Sequence, residues 1–482
     1  MDRDREEPAM PEVTAVPIGS DRVTTADEIV VTSPYDGSEV GRVPACDAGH
    51  VDRAVAAATA ALAEPLPAHA RAAVLDRAAV LLAERQEDFA RTIAAEAAKP
   101  LKTARVEAAR AVDTFRFSAA EARTLAGDMV PLDAAAPGDG KLGFTLRLPI
   151  GVVGAISPFN FPLNLVAHKV APAVAAGCPV VLKPASQTPL SALRLAWLLL
   201  DECGLPPGRL NVVTGSGSAV GDPLVAHDDV AMISFTGSPP VGWSIRQNAP
   251  RKKVSLELGN NSPVILEADG DWRTAVAKLK VAGFSHAGQS CISAQRVLVQ
   301  RSIHDDVVAE LVEAVGSLVV GPPLDEDTDV SALISRGDTE RVKEWIDEAV
   351  GAGAKVAVGG DTTEDGVLRP TVLTGVTSDM RVCRDEVFGP VLAVAAYDTV
   401  DEAIAIANDT RYGLQAGIFT ARLDVALDAA RRLDFGGVLV NEVPTWRADQ
   451  QPYGGVRDSG NTREGPHYAV REMTEPRLVV LS

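Results

Sequence analysis

Short apolar runs alternate with stretches of helical periodicity along two regions of the chain. The apolar runs of the first region, residues 151–259, stand at 152–156, 179–182, 210–213 and 231–235. The second region extends from about residue 270 to 440, with helical patterns near 304–317 and 338–352 and apolar runs near 391–396 and 437–440. Such alternation is typical of mostly parallel sheets with helices on their faces, so the sequence predicts an α/β fold.

The flanking segments follow other patterns. Residues 48–125 are rich in alanine at helical spacing and predict helices, the last of them over 101–125. Residues 129–150 place apolar runs on either side of an Ala-Pro-Gly-Asp-Gly tip, which predicts a β-hairpin with an exposed loop and little core of its own. We therefore interpret this hairpin as an oligomer contact. Residues 477–481 predict a last strand, and the polar, proline-bearing residues 1–25 predict a mobile tail.

Length and charge narrow the class of protein. A chain of 482 residues exceeds one simple core, and its 46% hydrophobic and 23% charged residues are an ordinary globular balance. The net charge of −19 argues against nucleic acid and anionic membranes as partners. The alternative interpretation is that this charge only keeps the protein soluble.

The cysteines, the N-terminus and the apolar runs bear on the cellular compartment of the protein. Five scattered cysteines show neither zinc-site spacing nor a disulfide framework, so we expect no metal and a reducing, cytoplasmic setting. The charged N-terminus is unlike a secretory signal, and no apolar run approaches the ~20 residues that span a bilayer.

Polar or glycine-rich loops follow the four predicted strands of the first region. Ligands of parallel sheets bind beyond the carboxyl ends of the strands, so these loops predict a dinucleotide site. The G-x-G-x-x-G fingerprint is missing, because Gly215 and Gly217 are followed by Gly221, one residue too late. An ordinary fingerprint site is therefore not supported.

Cys291 lies just after a Gly-Gln pair and just before the apolar run 297–299. Glycine allows close backbone approach, so a thiol here could attack a ligand with its own backbone N–H aimed at it. The alternative is a buried cysteine that acts as a small hydrophobic residue.

Six motifs together resemble the aldehyde dehydrogenase superfamily over nearly the whole chain past the tail. They are the Cys291 window, Leu256-Glu257-Leu258-Gly259, Pro158-Phe159-Asn160-Phe161-Pro162, Glu386-Val387-Phe388-Gly389-Pro390, Phe235-Thr236-Gly237-Ser238 and Pro452-Tyr453-Gly454-Gly455. The resemblance implies a Rossmann-type cofactor domain (26–128 and 151–259), an α/β catalytic domain (260–445) and small β oligomerisation elements (129–150 and 465–482). It also implies a homodimer or homotetramer.

The resemblance implies a role for each catalytic residue. Cys291 would attack the aldehyde as a thiolate, and the Asn160 side chain with the Cys291 N–H would bind the oxyanion. Glu257 would activate the water that hydrolyses the thioester. Lys169 would assist proton transfer, and Glu464 would be a second acid near the site. His286 matches no base, so we interpret it as structural or substrate-facing.

The resemblance also implies a site for NAD or NADP. Lys183 matches a lysine that binds the adenosine ribose, and three residues later Ser186 stands where many NAD-preferring members have a glutamate. A carboxylate would repel a 2′-phosphate and serine would not, so we predict that NADP is at least tolerated. The other predicted cofactor residues are Ile156, Ser157, Phe159, Gly217, Gly221, Phe235, Ser238, Glu386 and Phe388.

Three positions depart from the family pattern. Asn260 follows Gly259 where a second glycine is usual, Phe159 replaces the commoner tryptophan, and Asn461-Thr462 replaces a stretch that often ends in glycine. Asparagine tolerates left-handed backbone, which would preserve a turn at residue 260. None of these changes removes a catalytic group.

The Cys291 window and residues 441–449 look most like the branch that oxidises small polar or anionic aldehydes: lactaldehyde, sulfolactaldehyde, phosphonoacetaldehyde and non-phosphorylating glyceraldehyde-3-phosphate dehydrogenases. Arg447 would then bind the anion, with Arg105 as a second candidate, because guanidinium pairs bidentately with oxyanions. Both could instead be surface arginines.

Three competing functions remain open. A CoA-acylating member typically lacks the base glutamate, so Glu257 argues for hydrolysis. A thiol hydrolase or acyltransferase would leave the Lys183 and Glu386 loops unexplained. A catalytically silent binding or structural relative is disfavoured by the intact Cys291, Glu257 and Asn160.

Overall fold

The computed structural model describes residues 15–482 and shows two central sheets with helices packed on them. Its strands, numbered in chain order, are β1 (Val16–Ile18), β2 (Asp21–Val23), β3 (Glu28–Thr32), β4 (Glu39–Pro44), β5 (Met129–Val130), β6 (Leu142–Pro149), β7 (Val152–Ile156), β8 (Val180–Lys183), β9 (Leu210–Val212), β10 (Val230–Thr236), β11 (Lys253–Glu257), β12 (Pro263–Leu266), β13 (Arg296–Gln300), β14 (Lys355–Val358), β15 (Thr371–Thr374), β16 (Val391–Tyr397), β17 (Gln415–Phe419), β18 (Gly437–Val440) and β19 (Thr474–Leu481).

The helices cover the faces of these sheets. They are α1 (Ala48–Leu62), α2 (Ala68–Glu84), α3 (Gln86–Ala97), α4 (Leu101–Thr124), α5 (Asn164–Ala176), α6 (Leu190–Trp197), α7 (Asp222–Ala226), α8 (Pro239–Asn248), α9 (Trp272–Phe284), α10 (His304–Gly316), α11 (Arg336–Gly351), α12 (Arg381–Arg384), α13 (Val400–Asn408), α14 (Leu423–Arg432) and α15 (Pro466–Glu472). The prediction of an α/β fold is confirmed.

The first sheet is parallel throughout, in the order β11-β10-β7-β8-β9. Its strands are buried apolar runs, as expected when helices cover both faces. The register aligns Ile156 with Lys183 and Thr236 with Glu257. Because parallel strands all end at one edge, these four residues and the loops after them share the edge where ligands bind.

The second sheet has the order β14-β15-β16-β13-β12-β17-β18, and β14 alone is antiparallel to its neighbour. Only residues 258–262 separate the end of β11 from the start of β12. Five residues reach less than about 20 Å, so the carboxyl edge of the first sheet lies near the amino edge of the second. Cys291 and Glu386 precede the paired strands β13 and β16 at that second edge.

The predicted hairpin at 129–150 is confirmed, since β5 pairs with β6 in antiparallel register. Along its whole length β6 also pairs with β19, which forms a third, three-stranded sheet. Helix α15, although within the segment 465–482, packs with Val470 in the core beside α5 and α4.

The prediction of a mobile tail over residues 1–25 is wrong from Val16 onward. Val16 and Ile18 are buried, β1 pairs with β2, and the Gly19 N–H donates to Asn211 Oδ1 in β9 at 2.8 Å. The apolar triplet Val-Pro-Ile packs this segment against the core. The sequence prediction missed the triplet because polar residues and prolines surround it. Residues 1–14 of the predicted tail lie outside the described residues.

Candidate active site

Cys291 follows a tightly bent loop. His286, Ala287 and Gly288 all have positive φ, of 50°, 53° and 72°. A Cβ at residue 288 would lie 2.1 Å from the carbonyl oxygen of Gly389, so glycine is required where this loop crosses the Glu386 loop. The half-buried Cys291 Sγ lies 2.9 Å from Tyr453 Oη. Burial raises the pKa of the Cys291 thiol to about 12, and the Tyr453 hydrogen bond opposes that rise.

Asn160 lies beside the same loop. Its Nδ2 donates to the backbone carbonyl of Gln289 at 2.8 Å, two residues before Cys291. Within residues 15–482 the Cys291 N–H has no hydrogen-bond acceptor, so it is an unoccupied donor beside the sulfur. The structure therefore brings the two predicted oxyanion donors to one place.

Glu257 ends β11 with both carboxylate oxygens buried and, in the described chain, without a hydrogen-bond partner. A Cβ at Gly454 would lie 2.8 Å from Oε1, so the glycine makes room for this carboxyl group. Burial, and next the charge of Glu464, raise the pKa of Glu257 well above its ordinary value. A buried carboxyl group with a raised pKa is a stronger base when it ionises.

Lys169, Glu464 and Arg447 form a buried charged cluster beside Glu257. Lys169 Nζ donates to Thr236 Oγ1 at 2.7 Å and lies 3.9 Å from Glu464. Arg447 Nη2 lies 3.0 Å from the other Glu464 oxygen, and its guanidinium stacks 3.7 Å over the Tyr453 ring. Burial lowers the pKa of Lys169; for Glu464, burial is outweighed by His168, Arg447 and Lys169, which lower its pKa. Glu464 therefore ionises more readily than Glu257.

The predicted cofactor residues surround the carboxyl edge of the first sheet. Ile156 ends β7, and the next residue, Ser157, has a buried Oγ with no partner in the described chain. Lys183 ends β8, and burial lowers its pKa to about 8. Phe235 lies in β10, and Ser238 directly precedes α8.

Glycines leave room at this edge for a dinucleotide. A Cβ at Gly217 would meet open space, and one at Gly221 would touch only the Lys183 side chain. The Ser186 hydroxyl donates to the Gly215 carbonyl at 2.7 Å, which leaves its oxygen free to accept. The unpartnered Ser157 oxygen and this open, glycine-lined edge fit a nicotinamide dinucleotide.

Glu386 and Phe388 approach from the second sheet. Glu386 Oε1 accepts from the Asn260 N–H at 2.9 Å, and a Cβ at Gly259 would lie 2.0 Å from its other oxygen. Burial raises the pKa of Glu386 to about 7. Phe388 has a φ of 48° and packs edge-on against Phe159 at 5.8 Å. Asn260 is not among the positive-φ residues of the described chain, so the left-handed turn expected there is wrong.

The structure contradicts the prediction that Arg105 binds substrate. On α4 its guanidinium pairs with Glu87 at 2.7 Å and Glu326 at 2.5 Å, at the protein surface. Residues 105 and 107 are about 200° apart around a helix, so Arg105 lies opposite the buried Glu107. The positive charge of Arg105 is therefore already balanced by two carboxylates and is not available to an anionic substrate.

Arg110 and Tyr453 were given no role from the sequence. Arg110, three residues after Glu107 and therefore on the same face of α4, pairs with Asp449 at 2.8 Å. Asp449 also accepts from His168 Nε2 at 2.9 Å, and His168 lies 3.3 Å from Arg447. The i, i+3 spacing from Glu107 points to Arg110 only once the structure shows that Glu107 is buried.

His286 is fully buried, with no hydrogen-bond partner for either ring nitrogen in the described chain. Burial, and next Lys99, lower its pKa well below the ordinary value, so the ring is neutral. The hydrogen-bond partner of Cys291 is Tyr453 and not this histidine.

Known proteins match this sequence and this fold along almost the whole chain. The model of the aldehyde dehydrogenase family matches residues 22–479. A 3-sulfolactaldehyde dehydrogenase of Priestia aryabhattai is 47% identical over 460 residues, 95% of this chain and 96% of that protein. The crystal structure of aldehyde dehydrogenase 21 from Physcomitrella patens with its product succinate has a TM-score of 0.94 at 39% identity, covering 98% of each chain.

A second solved structure bears on the cofactor. The glyceraldehyde-3-phosphate dehydrogenase of Methanocaldococcus jannaschii, complexed with NADP, has a TM-score of 0.91 at 38% identity and covers 95% of this chain and 100% of that one. Family model, relatives and fold agree with the motifs that carried the sequence resemblance. The chain therefore belongs to the aldehyde dehydrogenase family and is an NAD(P)-dependent enzyme that oxidises small aldehydes.

Proposed function

We propose that Cys291 is the nucleophile, that Asn160 and the Cys291 N–H bind the oxyanion, and that Glu257 activates water. The sulfur attacks the aldehyde carbon and forms a tetrahedral adduct whose oxyanion is met by two donors at the Cys291 loop. NAD or NADP, when bound, supplies the oxidised ring that accepts hydride from the adduct. Glu257 then removes a proton from the water that attacks the thioester and releases the acid.

We propose that Lys169 and Glu464 carry away the proton that Glu257 takes from the water. Lys169 is joined to Glu464 and to the Ser234 and Thr236 hydroxyls, and Lys169, Glu464 and Ser234 line a small cavity together with Glu257. A proton on Glu257 therefore has polar groups nearby to which it can be passed. The presence of Glu257 supports hydrolysis as the fate of the thioester.

We propose an anionic aldehyde as the substrate, and the observation that carries this is the position of Arg447. Its side chain is only 4% exposed and stacks on Tyr453, which contacts Cys291, while its Nε is buried without a partner in the described chain. An unpaired, buried guanidinium N–H is costly unless a ligand accepts from it. The names of the similar proteins also contain a sulfonate, a dicarboxylate and a phosphate.

Arg447→Ala should raise KM for a carboxylated or sulfonated short aldehyde about 10- to 100-fold, the loss expected for hydrogen bonds to a charged group. KM for a neutral aldehyde of the same length should change little, because no anion meets the guanidinium. The measurement is initial-rate NADPH or NADH formation on both aldehydes.

Arg105→Ala is the matched control, since it removes an arginine that pairs only at the surface. It should leave both KM values unchanged. Equal effects of Arg447→Ala on the anionic and the neutral aldehyde would remove Arg447 from substrate recognition. Turnover of neutral aldehydes alone by the unmodified enzyme would reject the anionic class and retain the reaction.

We propose that a second copy of the chain covers the three-stranded sheet, which gives a homodimer or homotetramer. Strand β19 has one neighbour, β6, among the described strands, and an open strand edge readily pairs with another strand. Leu478 and Val480 of β19 are exposed apolar side chains on one face of this sheet, and Leu142 and Leu146 of β6 are exposed on its other face. Apolar surface of this kind is typical of an interface.

Leu478→Asp combined with Val480→Asp should shift the oligomer to smaller species, because each places a charge in the apolar contact. Multi-angle light scattering after gel filtration measures the mass. Val281→Asp, an exposed valine on α9, is the control and should not alter it. An unchanged mass of the double variant would place the interface elsewhere.

We also propose a cytoplasmic location. All five cysteines are free thiols, which suits a reducing compartment. No helix in residues 15–482 is both long and apolar enough to cross a membrane. Recovery of the activity in the soluble cytosolic fraction of disrupted cells would be the check.

A further inference from the structure

Tyr453 holds its hydroxyl against the sulfur of Cys291, and the mechanism above gives it no task. Its Oη lies 2.9 Å from Sγ, and its ring is buried against Ile292 and Leu414. Its backbone N–H donates to the Glu464 carbonyl at 3.1 Å in an antiparallel bridge. Packing and backbone together therefore fix where the hydroxyl points.

The chemistry of the pair determines which atom donates. Tyr453 is only 3% exposed, and within residues 15–482 the sulfur is the hydrogen-bond partner of its hydroxyl. A thiolate has no proton to give, so once Cys291 ionises the phenol is the donor. A hydrogen bond to the charged form of a group favours that form.

Arg447 strengthens this arrangement. Its guanidinium stacks 3.7 Å from the centre of the Tyr453 ring, and a cation on the ring face withdraws charge from the phenol. Burial, and next the charge of Cys291, raise the pKa of Tyr453 well above its ordinary value. A raised pKa favours the protonated phenol, which is the form that can donate a hydrogen bond.

We propose that Tyr453 is a further catalytic residue, whose hydroxyl donates a hydrogen bond to the Cys291 thiolate and thereby raises the fraction of active nucleophile. The phenol O–H bond stays intact, and the sulfur attacks with another lone pair. This inference rests on the proposed role of Cys291 as nucleophile.

The test is the pH dependence of Cys291 alkylation by iodoacetamide in the full-length enzyme, followed by peptide mass spectrometry. Tyr453→Phe retains the ring under Arg447 and removes only the hydroxyl. We expect the apparent pKa of Cys291 to rise by about one unit and alkylation at neutral pH to slow about tenfold, the effect of one hydrogen bond to a charged group. At a pH above both values the two rates should converge, and kcat/KM should follow the same shift.

Tyr397→Phe is the matched control, because its buried hydroxyl donates to the Leu266 carbonyl and is not part of the cluster. It should leave the alkylation profile unchanged even if it lowers stability. An unchanged profile in Tyr453→Phe would overturn the proposal. Replacement of Tyr453 by a ring-fluorinated tyrosine, a stronger donor of the same shape, should shift the apparent pKa of Cys291 downward; no shift would also overturn it.

The same experiment distinguishes failure of the Cys291 assignment from failure of the Tyr453 proposal. If alkylated Cys291 in the unmodified enzyme left turnover intact, Cys291 would not be the nucleophile, whatever Tyr453 does. If alkylation abolished turnover but Tyr453→Phe shifted neither profile, only the role of Tyr453 would fail.

Discussion

Cys291→Ala is expected to abolish aldehyde oxidation, with kcat lowered on the order of 10⁴-fold or more, as for the loss of a covalent nucleophile in other enzymes. Hydride leaves readily only from a tetrahedral adduct, and alanine cannot form one. Cofactor binding should persist, because the Lys183, Ser157 and α8 elements lie on the first sheet. NADPH production and the quenching of protein fluorescence by NADPH measure the two properties separately.

Cys203→Ala provides the control, since it removes a buried thiol after α6 that has no place in the cluster. It should retain full turnover. Turnover within tenfold of the unmodified enzyme in Cys291→Ala would reject covalent catalysis at this residue. Loss of both turnover and cofactor binding would indicate a folding defect instead.

The sequence predicted the chemical groups better than it predicted their supporting contacts. Cys291, Asn160 and Glu257 were identified because each stands in a short motif, and the parallel-sheet rule placed the cofactor loops at one edge. Those inferences need only local sequence and the geometry of α/β folds. In the structure Asn160 contacts the Cys291 loop at Gln289, and Glu257 lies against Gly454, the neighbour of the Tyr453 that contacts Cys291.

Contacts between distant segments were beyond this reasoning. The Arg110–Asp449 pair joins residues 339 positions apart, and the Cys291–Tyr453 contact joins residues 162 apart. Periodicity shows that Arg105 and Arg110 differ in helix face, but it does not show which face meets residues 447–449. Tertiary packing decides that, which is why Arg105 was chosen and Arg110 passed over.

The site holds two neighbouring carboxyl groups, Glu464 and Glu257, in different electrostatic surroundings. Lys169 and Arg447 both contact Glu464 and keep it ionised, whereas Glu257 has no hydrogen bond in the described chain that would favour its charged form. The pKa values of these two neighbouring carboxyl groups are therefore shifted in opposite directions. Glu464 balances the charge of the two cations, and Glu257 becomes a base as pH rises and it ionises.

Glu257→Gln should separate oxidation from hydrolysis. Glutamine occupies the same space but takes no proton from water, so the first turnover should proceed and the thioester should accumulate. We expect a burst of NADH or NADPH equal to the enzyme concentration, followed by a steady-state rate lowered about 10²- to 10⁴-fold, the usual contribution of a general base. Stopped-flow absorbance measures the burst, and intact-mass spectrometry detects the acyl group on Cys291.

The pH dependence gives the same assignment an independent check. Because burial raises the pKa of Glu257, its ionised fraction grows as pH rises through that raised value, so deacylation in the unmodified enzyme should accelerate with pH. Glu257→Gln should lose this rise. Glu472→Gln, which changes a half-buried carboxyl group lining the same cavity, should retain both the rise and rapid deacylation. A Glu257→Gln enzyme without a burst would instead place Glu257 before the thioester, at the ionisation of Cys291 or at hydride transfer.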